Sequence, residues 1–110
     1  MRIQPATFAF LSDLSENNNR EWFQENKNRY DDARQNVKDF VQAIINRLSD
    51  MDPHIPKDIN PGKCLFRIYR DVRFSKNKAP YKNWLAAGIS VDGRKLDGPE
   101  YYIHIEPNKI

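Results

Sequence analysis

The chain has a single cysteine, Cys64, which excludes an intramolecular disulfide and a cysteine-based metal site. No apolar run approaches the ~18–20 residues that a helical membrane span needs. A signal-peptide pattern is missing as well: Asp13 and Glu16 follow a short apolar stretch with no cleavage-site signature. There is no internal repeat and no low-complexity tract. These absences argue against a disulfide-stapled secreted domain and a membrane protein, and they point to a reducing, cytoplasmic setting. Acidic residues are scarce in one place. Residues 63–82 hold seven basic residues against one acid, Asp71, a local net charge of +6. The other 90 residues hold 11 basic against 14 acidic, a net charge of −3. A mildly acidic domain with one concentrated positive segment suggests an anionic partner.

The 110 residues make one domain's worth of chain. With 39% hydrophobic and 30% charged residues, there is material for one modest core and too much order-promoting content for a disordered chain.

Two helices are expected first. Residues 5–15 carry Pro5 in the first turn, where its missing N–H is no loss, and an apolar face of Phe8, Leu11 and Leu14. Asn17-Asn18-Asn19 breaks this helix, and Asn18 three residues before Glu21 resembles a capping box. From Trp22 to Leu48 apolar residues recur every three or four positions, which predicts an amphipathic helix over about 20–49. Pro53 and Pro56 end it. The period then changes to two. Phe66, Ile68, Val72 and Phe74 alternate with Arg67, Tyr69, Asp71 and Arg73, which predicts a strand over about 64–74. Further strands are expected over about 84–91 and 100–106, with Asp92-Gly93 as a hairpin-type turn and Asp97-Gly98-Pro99 as another breaker. The expected fold class is α+β, a single domain of two helices packed on a small antiparallel sheet.

The alternation places Arg70 on the face of Phe66, Ile68, Val72 and Phe74. A guanidinium there must be paired or hydrogen-bonded, or the strand must bulge and re-aim it. On the other face Asp71 lies between arginines that would hold it ionised and be oriented by it. Arginine forks suit phosphate or carboxylate, because they donate two parallel hydrogen bonds. Lys76, Lys78 and Lys82 in the following loop could close over such a ligand, and Tyr81 could add a hydroxyl. The expected ligand-binding set is Arg67, Arg70, Asp71, Arg73, Lys76, Lys78 and Tyr81. Its partner is an anionic small molecule or nucleic acid. The purely structural alternative is an ion-pair network around a solvated lysine loop. A third possibility is an enzyme with Asp71 or His104 as acid or base, although no activated nucleophile is apparent. His104 and Glu106 share a strand face, but a partly exposed strand histidine explains them more simply than a metal pair. No cofactor is implied.

The order Arg67-x-x-Arg70-Asp71-x-Arg73-Phe74-x-x-Asn77-Lys78-x-x-Tyr81 resembles the defining signature of an uncharacterised bacterial family, a domain of unknown function also found within longer fungal proteins. Phe10-Leu11, Leu14, Asn17-Asn18, Arg20, Trp22-Phe23, Lys27, Tyr30 and Tyr102-x-His104 are similar too. The resemblance implies no catalytic residue, because the family's biochemical role is not established. It also implies that these residues correspond to the N-terminal half of a longer family domain.

Overall fold

The computed structural model describes residues 2–90 and 101–107. The chain forms α1 (Pro5–Glu16), α2 (Arg20–Glu25), α3 (Lys27–Met51), a single-turn α4 (Pro61–Cys64), β1 (Leu85–Ile89) and β2 (Tyr101–Ile105). The α+β expectation holds: helices come first and a small antiparallel sheet follows.

Pro5 opens α1, as its fixed φ favours. The three consecutive asparagines then do three different jobs. Asn17 ends α1, its side-chain amide donating to the Asp13 carbonyl at 2.9 Å. Asn19 caps α2, its Oδ1 accepting from the Trp22 amide at 2.8 Å. Asn18, which the capping-box spacing picks out, is used elsewhere in the fold.

The helix expected over 20–49 is two helices. The break is Asn26, whose side chain donates to the Trp22 carbonyl at 2.9 Å. A short amide that can bond nearby backbone competes with the helical ladder, and here it closes α2. The chain resumes at once as α3, which buries Ala33, Val37, Val41, Ile45 and Ser49. That spacing of four lays one stripe along the helix. It packs on Phe10, Leu11 and Leu14 of α1, all fully buried. Each such Leu, Ile or Phe contributes roughly 1.5–3 kcal/mol through burial. Asn36 of α3 secures the start of the chain: it accepts from the Gln4 amide (2.7 Å) and the Thr7 hydroxyl (2.8 Å) and donates to the Arg2 carbonyl (3.1 Å).

β1 and β2 pair antiparallel, with Leu85 opposite Ile105, Ala87 opposite Ile103 and Ile89 opposite Tyr101. Leu85, Ala87, Ile89 and Ile105 turn one face of the pair into the core. On the other face His104 lies opposite Ala86 and Tyr102 opposite Gly88.

The strand expected over 64–74 is replaced by two isolated antiparallel bridges, Leu65 with Ala87 and Tyr69 with Tyr81. Between these bridges three residues (66–68) face five (82–86). Two unmatched residues prevent a continuous ladder, as in an extended bulge. Beyond Arg70 the chain leaves the sheet in a loop that returns at Pro80, where the Arg70 amide donates to the Pro80 carbonyl at 3.0 Å. The expected turn at Asp92-Gly93 and the breaker at 97–99 lie outside the described residues.

Candidate functional site

The loop that follows Arg70 is held by its own side chains. Arg70 was expected to need a partner, and it has two: Nη1 donates to the carbonyl oxygens of Ala79 (3.0 Å) and Asn77 (3.5 Å). Arg70 therefore grips the returning limb of the loop. It is half-buried rather than part of an apolar face. The expected alternation does not persist: Ile68 is buried, but Phe66 is 45% exposed and Phe74 95% exposed. On the opposite side Arg67, Tyr69, Asp71 and Arg73 are all exposed, as the pattern anticipates.

Lys78 reaches back across the loop, its Nζ donating to the Val72 carbonyl at 2.6 Å. Within the tip, the Asn77 amide donates to Ser75 Oγ and the Ala79 amide to Asn77 Oδ1. Small polar side chains thus supply the acceptors that a sheet would otherwise provide.

Among the described residues, Asp71 pairs with Arg73 alone. Arg73 Nε and Nη2 donate to the two carboxylate oxygens at 3.1 and 2.9 Å, a bidentate fork. These bonds hold the Asp71 carboxyl below its ordinary range, and the carboxylate raises the Arg73 guanidinium in turn. Two arginines also lie over rings: Arg67 over Tyr69 at 5.5 Å, and Arg73 over Phe74 at 5.7 Å. Lys76 is exposed at the tip.

Tyr81 stands apart from this surface. It is buried at the base of the loop, its ring stacked on Phe23 at 4.1 Å. Burial raises its phenol above the usual value, with the neighbouring Tyr69 adding to the effect. Its backbone is gripped by Asn18: the Tyr81 amide donates to Asn18 Oδ1 (3.0 Å), and Asn18 Nδ2 donates to the Tyr81 carbonyl (2.8 Å). One amide side chain thus imitates a strand partner and fixes the helical half of the domain to the loop. The Asn17-Asn18-Asn19 run marks this junction in the sequence, but only as a helix boundary.

The fold brings together a second set of side chains, wider than the His104–Glu106 pair that strand alternation predicts. Tyr102 and His104 alternate along β2, and Glu106 continues the alternation one residue beyond its end. His104 Nε2 lies 2.9 Å from Glu106 Oε1, and His104 Nδ1 lies 3.2 Å from the Tyr102 hydroxyl. Trp84 stacks on the imidazole at 5.7 Å with the planes 23° apart. Phe66 lies 6.1 Å from the Tyr102 ring. The i, i+2, i+4 spacing was the available signal. Asp71, engaged with Arg73, does not join this set, and among the described residues no group of three or more His, Cys, Asp or Glu is placed to hold a metal. Cys64 is buried, which pushes its thiol up and away from the reactive thiolate. No helix among the described residues is long and apolar enough to cross a membrane.

Searches of curated proteins and of solved structures each return no match. The sequence does match a family profile described as "Conserved hypothetical protein (DUF2461)" over residues 6–110, a span that includes both the loop and the Tyr102 strand, and the chain belongs to that family.

Proposed function

We propose that the domain is a binding module for a phosphate- or carboxylate-bearing ligand and that the surface of the loop over residues 67–82 makes the contact. The observation that carries this reading is the charge left on the loop. Among the described residues, Arg73 alone of Arg67, Arg70, Arg73, Lys76, Lys78 and Lys82 has a carboxylate partner. Arg70 and Lys78 donate to carbonyl oxygens, which satisfy their hydrogen bonds without cancelling their charge. The loop therefore keeps a concentrated positive field, and a nearby anion relieves it.

Residues divide by role. Arg67, Arg73 and Lys76 are exposed and make the ligand contacts. Arg70, Asp71, Lys78 and Tyr81 shape the loop that presents them. Asp71 holds the Arg73 fork in place until a ligand oxyanion competes for it. The exposed rings of Tyr69 and Phe74 beside these arginines favour a ligand that also offers a flat face. Nucleic acid meets both requirements, phosphate and base, and is the second reading.

The test is a titration of purified protein with a fluorescent single-stranded oligonucleotide and, separately, with inorganic polyphosphate. The expected result is saturable binding that Arg73→Ala and Lys76→Ala each weaken several-fold, with both variants still folded by circular dichroism and the unfolding midpoint of Lys76→Ala unchanged. Removal of a distant exposed charge, Arg47→Ala, leaves it intact. Failure of both ligands to bind, or equal weakening by Arg47→Ala, rejects the proposal.

A further inference from the structure

The Tyr102–His104–Glu106 chain has the connectivity of a nucleophile, a base and an orienting carboxylate. In the neutral imidazole, Nε2–H donates to the Glu106 carboxylate. That fixes the tautomer and leaves the lone pair at Nδ1, where the Tyr102 hydroxyl donates its proton. Trp84 stacks on the ring and holds its plane. Tyr102 is 57% exposed, so a reagent can meet its side chain, whereas the His104 and Glu106 side chains are less open, at 33% and 39%. Three side chains on successive same-face positions therefore present one accessible, base-paired phenol.

We propose that Tyr102 is a nucleophilic residue that accepts an acyl group from an activated carbonyl compound, with His104 as its base and Glu106 as the residue that positions the imidazole. The phenolic oxygen forms the bond to the carbonyl carbon as its proton passes to His104 Nδ1. The bond from that carbon to the leaving group breaks, and the leaving group departs with the electron pair. The imidazolium, stabilised by Glu106, then returns the proton to the leaving group. The atoms balance without an oxidant or a metal. This inference does not depend on the anion-binding loop.

The protein supplies its own controls, because Tyr69 and Tyr101 are also exposed, at 52% and 39%. The experiment treats the intact chain with N-acetylimidazole and follows acetylation of each tyrosine by peptide mass spectrometry. Tyr102 is expected to react at least about tenfold faster than Tyr69 and Tyr101, which is less than the roughly 10²–10⁴-fold that a positioned base supplies in an enclosed site because this one is open to water. In His104→Ala and in the milder Glu106→Gln, Tyr102 falls toward the rate of Tyr69, while Tyr69 itself is unchanged. Equal rates for Tyr102 and Tyr69 in the wild-type chain overturn the proposal. So does a Tyr102 rate that either substitution leaves unchanged.

Discussion

Asn18→Ala separates the helical half of the domain from the loop with a single change. The Asn18 side chain makes two hydrogen bonds, 2.8 and 3.0 Å long, to the backbone of Tyr81, a residue only 3% exposed. Alanine removes both bonds and leaves a buried amide and a buried carbonyl without these partners. Each unsatisfied backbone group costs about 1–3 kcal/mol, and partial relaxation places the sum at roughly 2–4 kcal/mol. Against a total stability of about 5–15 kcal/mol this is a large loss. Equilibrium urea unfolding measures it as a lower midpoint at unchanged slope, and thermal unfolding as a drop of roughly 8–16 °C. Two comparisons make the number specific. Asn19→Ala, which removes a helix cap, is expected to lose about 1 kcal/mol. Asn18→Asp keeps the acceptor for the Tyr81 amide but sets its second oxygen against the Tyr81 carbonyl, so it does not restore stability. A loss below about 0.5 kcal/mol in Asn18→Ala, or wild-type stability in Asn18→Asp, would refute the claim that this amide joins the two halves.

Three further outcomes follow from the same geometry. Arg70→Ala frees the Ala79 and Asn77 carbonyls; hydrogen exchange and limited proteolysis are expected to accelerate across residues 71–79, with a stability loss of about 1–2 kcal/mol. Asp71 has its folded pKa depressed by Arg73, so its contribution to stability is present above the ordinary value of 3.8 and is lost as pH falls through the folded value. Carboxyl NMR should show Asp71 titrating below its ordinary value in the wild-type chain and moving upward in Arg73→Ala, though not all the way, because the residue-73 amide still donates to Oδ1; an Asp71 midpoint that does not respond to that substitution contradicts the pairing. Cys64, buried and with its thiol pushed up, should resist iodoacetamide at neutral pH in the native state and react promptly in urea.

Which features were legible in the sequence depended on how local their cause was. The start of α1 at Pro5 and the apolar stripe of α3 follow from single residues and from a period of four, so both could be read directly. The break at Asn26 depends on a rotamer that turns the amide back onto Trp22, and composition does not reveal rotamers. The segment after Cys64 has the alternation of a strand, yet it forms only two bridges, because the partner run at 82–86 carries two more residues than 66–68 can match. Register mismatch belongs to the pair of segments and is invisible in either one. Arg70 shows both sides of this. Its place in the pattern required a partner, and the partner exists, but as carbonyls of the returning loop rather than as an acid. The position of Tyr81 in the motif suggests a ligand hydroxyl, whereas its contacts with Phe23 and Asn18 are made across more than fifty residues of sequence.

The central claim is that the charge on the 67–82 loop is available to an anion. The most direct measurement is the salt dependence of oligonucleotide binding for the wild-type chain and for Lys76→Ala. Counterion release from a single strand gives a logarithmic slope of about −0.7 for each phosphate neutralised. A steep slope is expected in the wild-type chain and one shallower by about 0.7 in Lys76→Ala. A flat wild-type slope, or one that Lys76→Ala does not change, would contradict it.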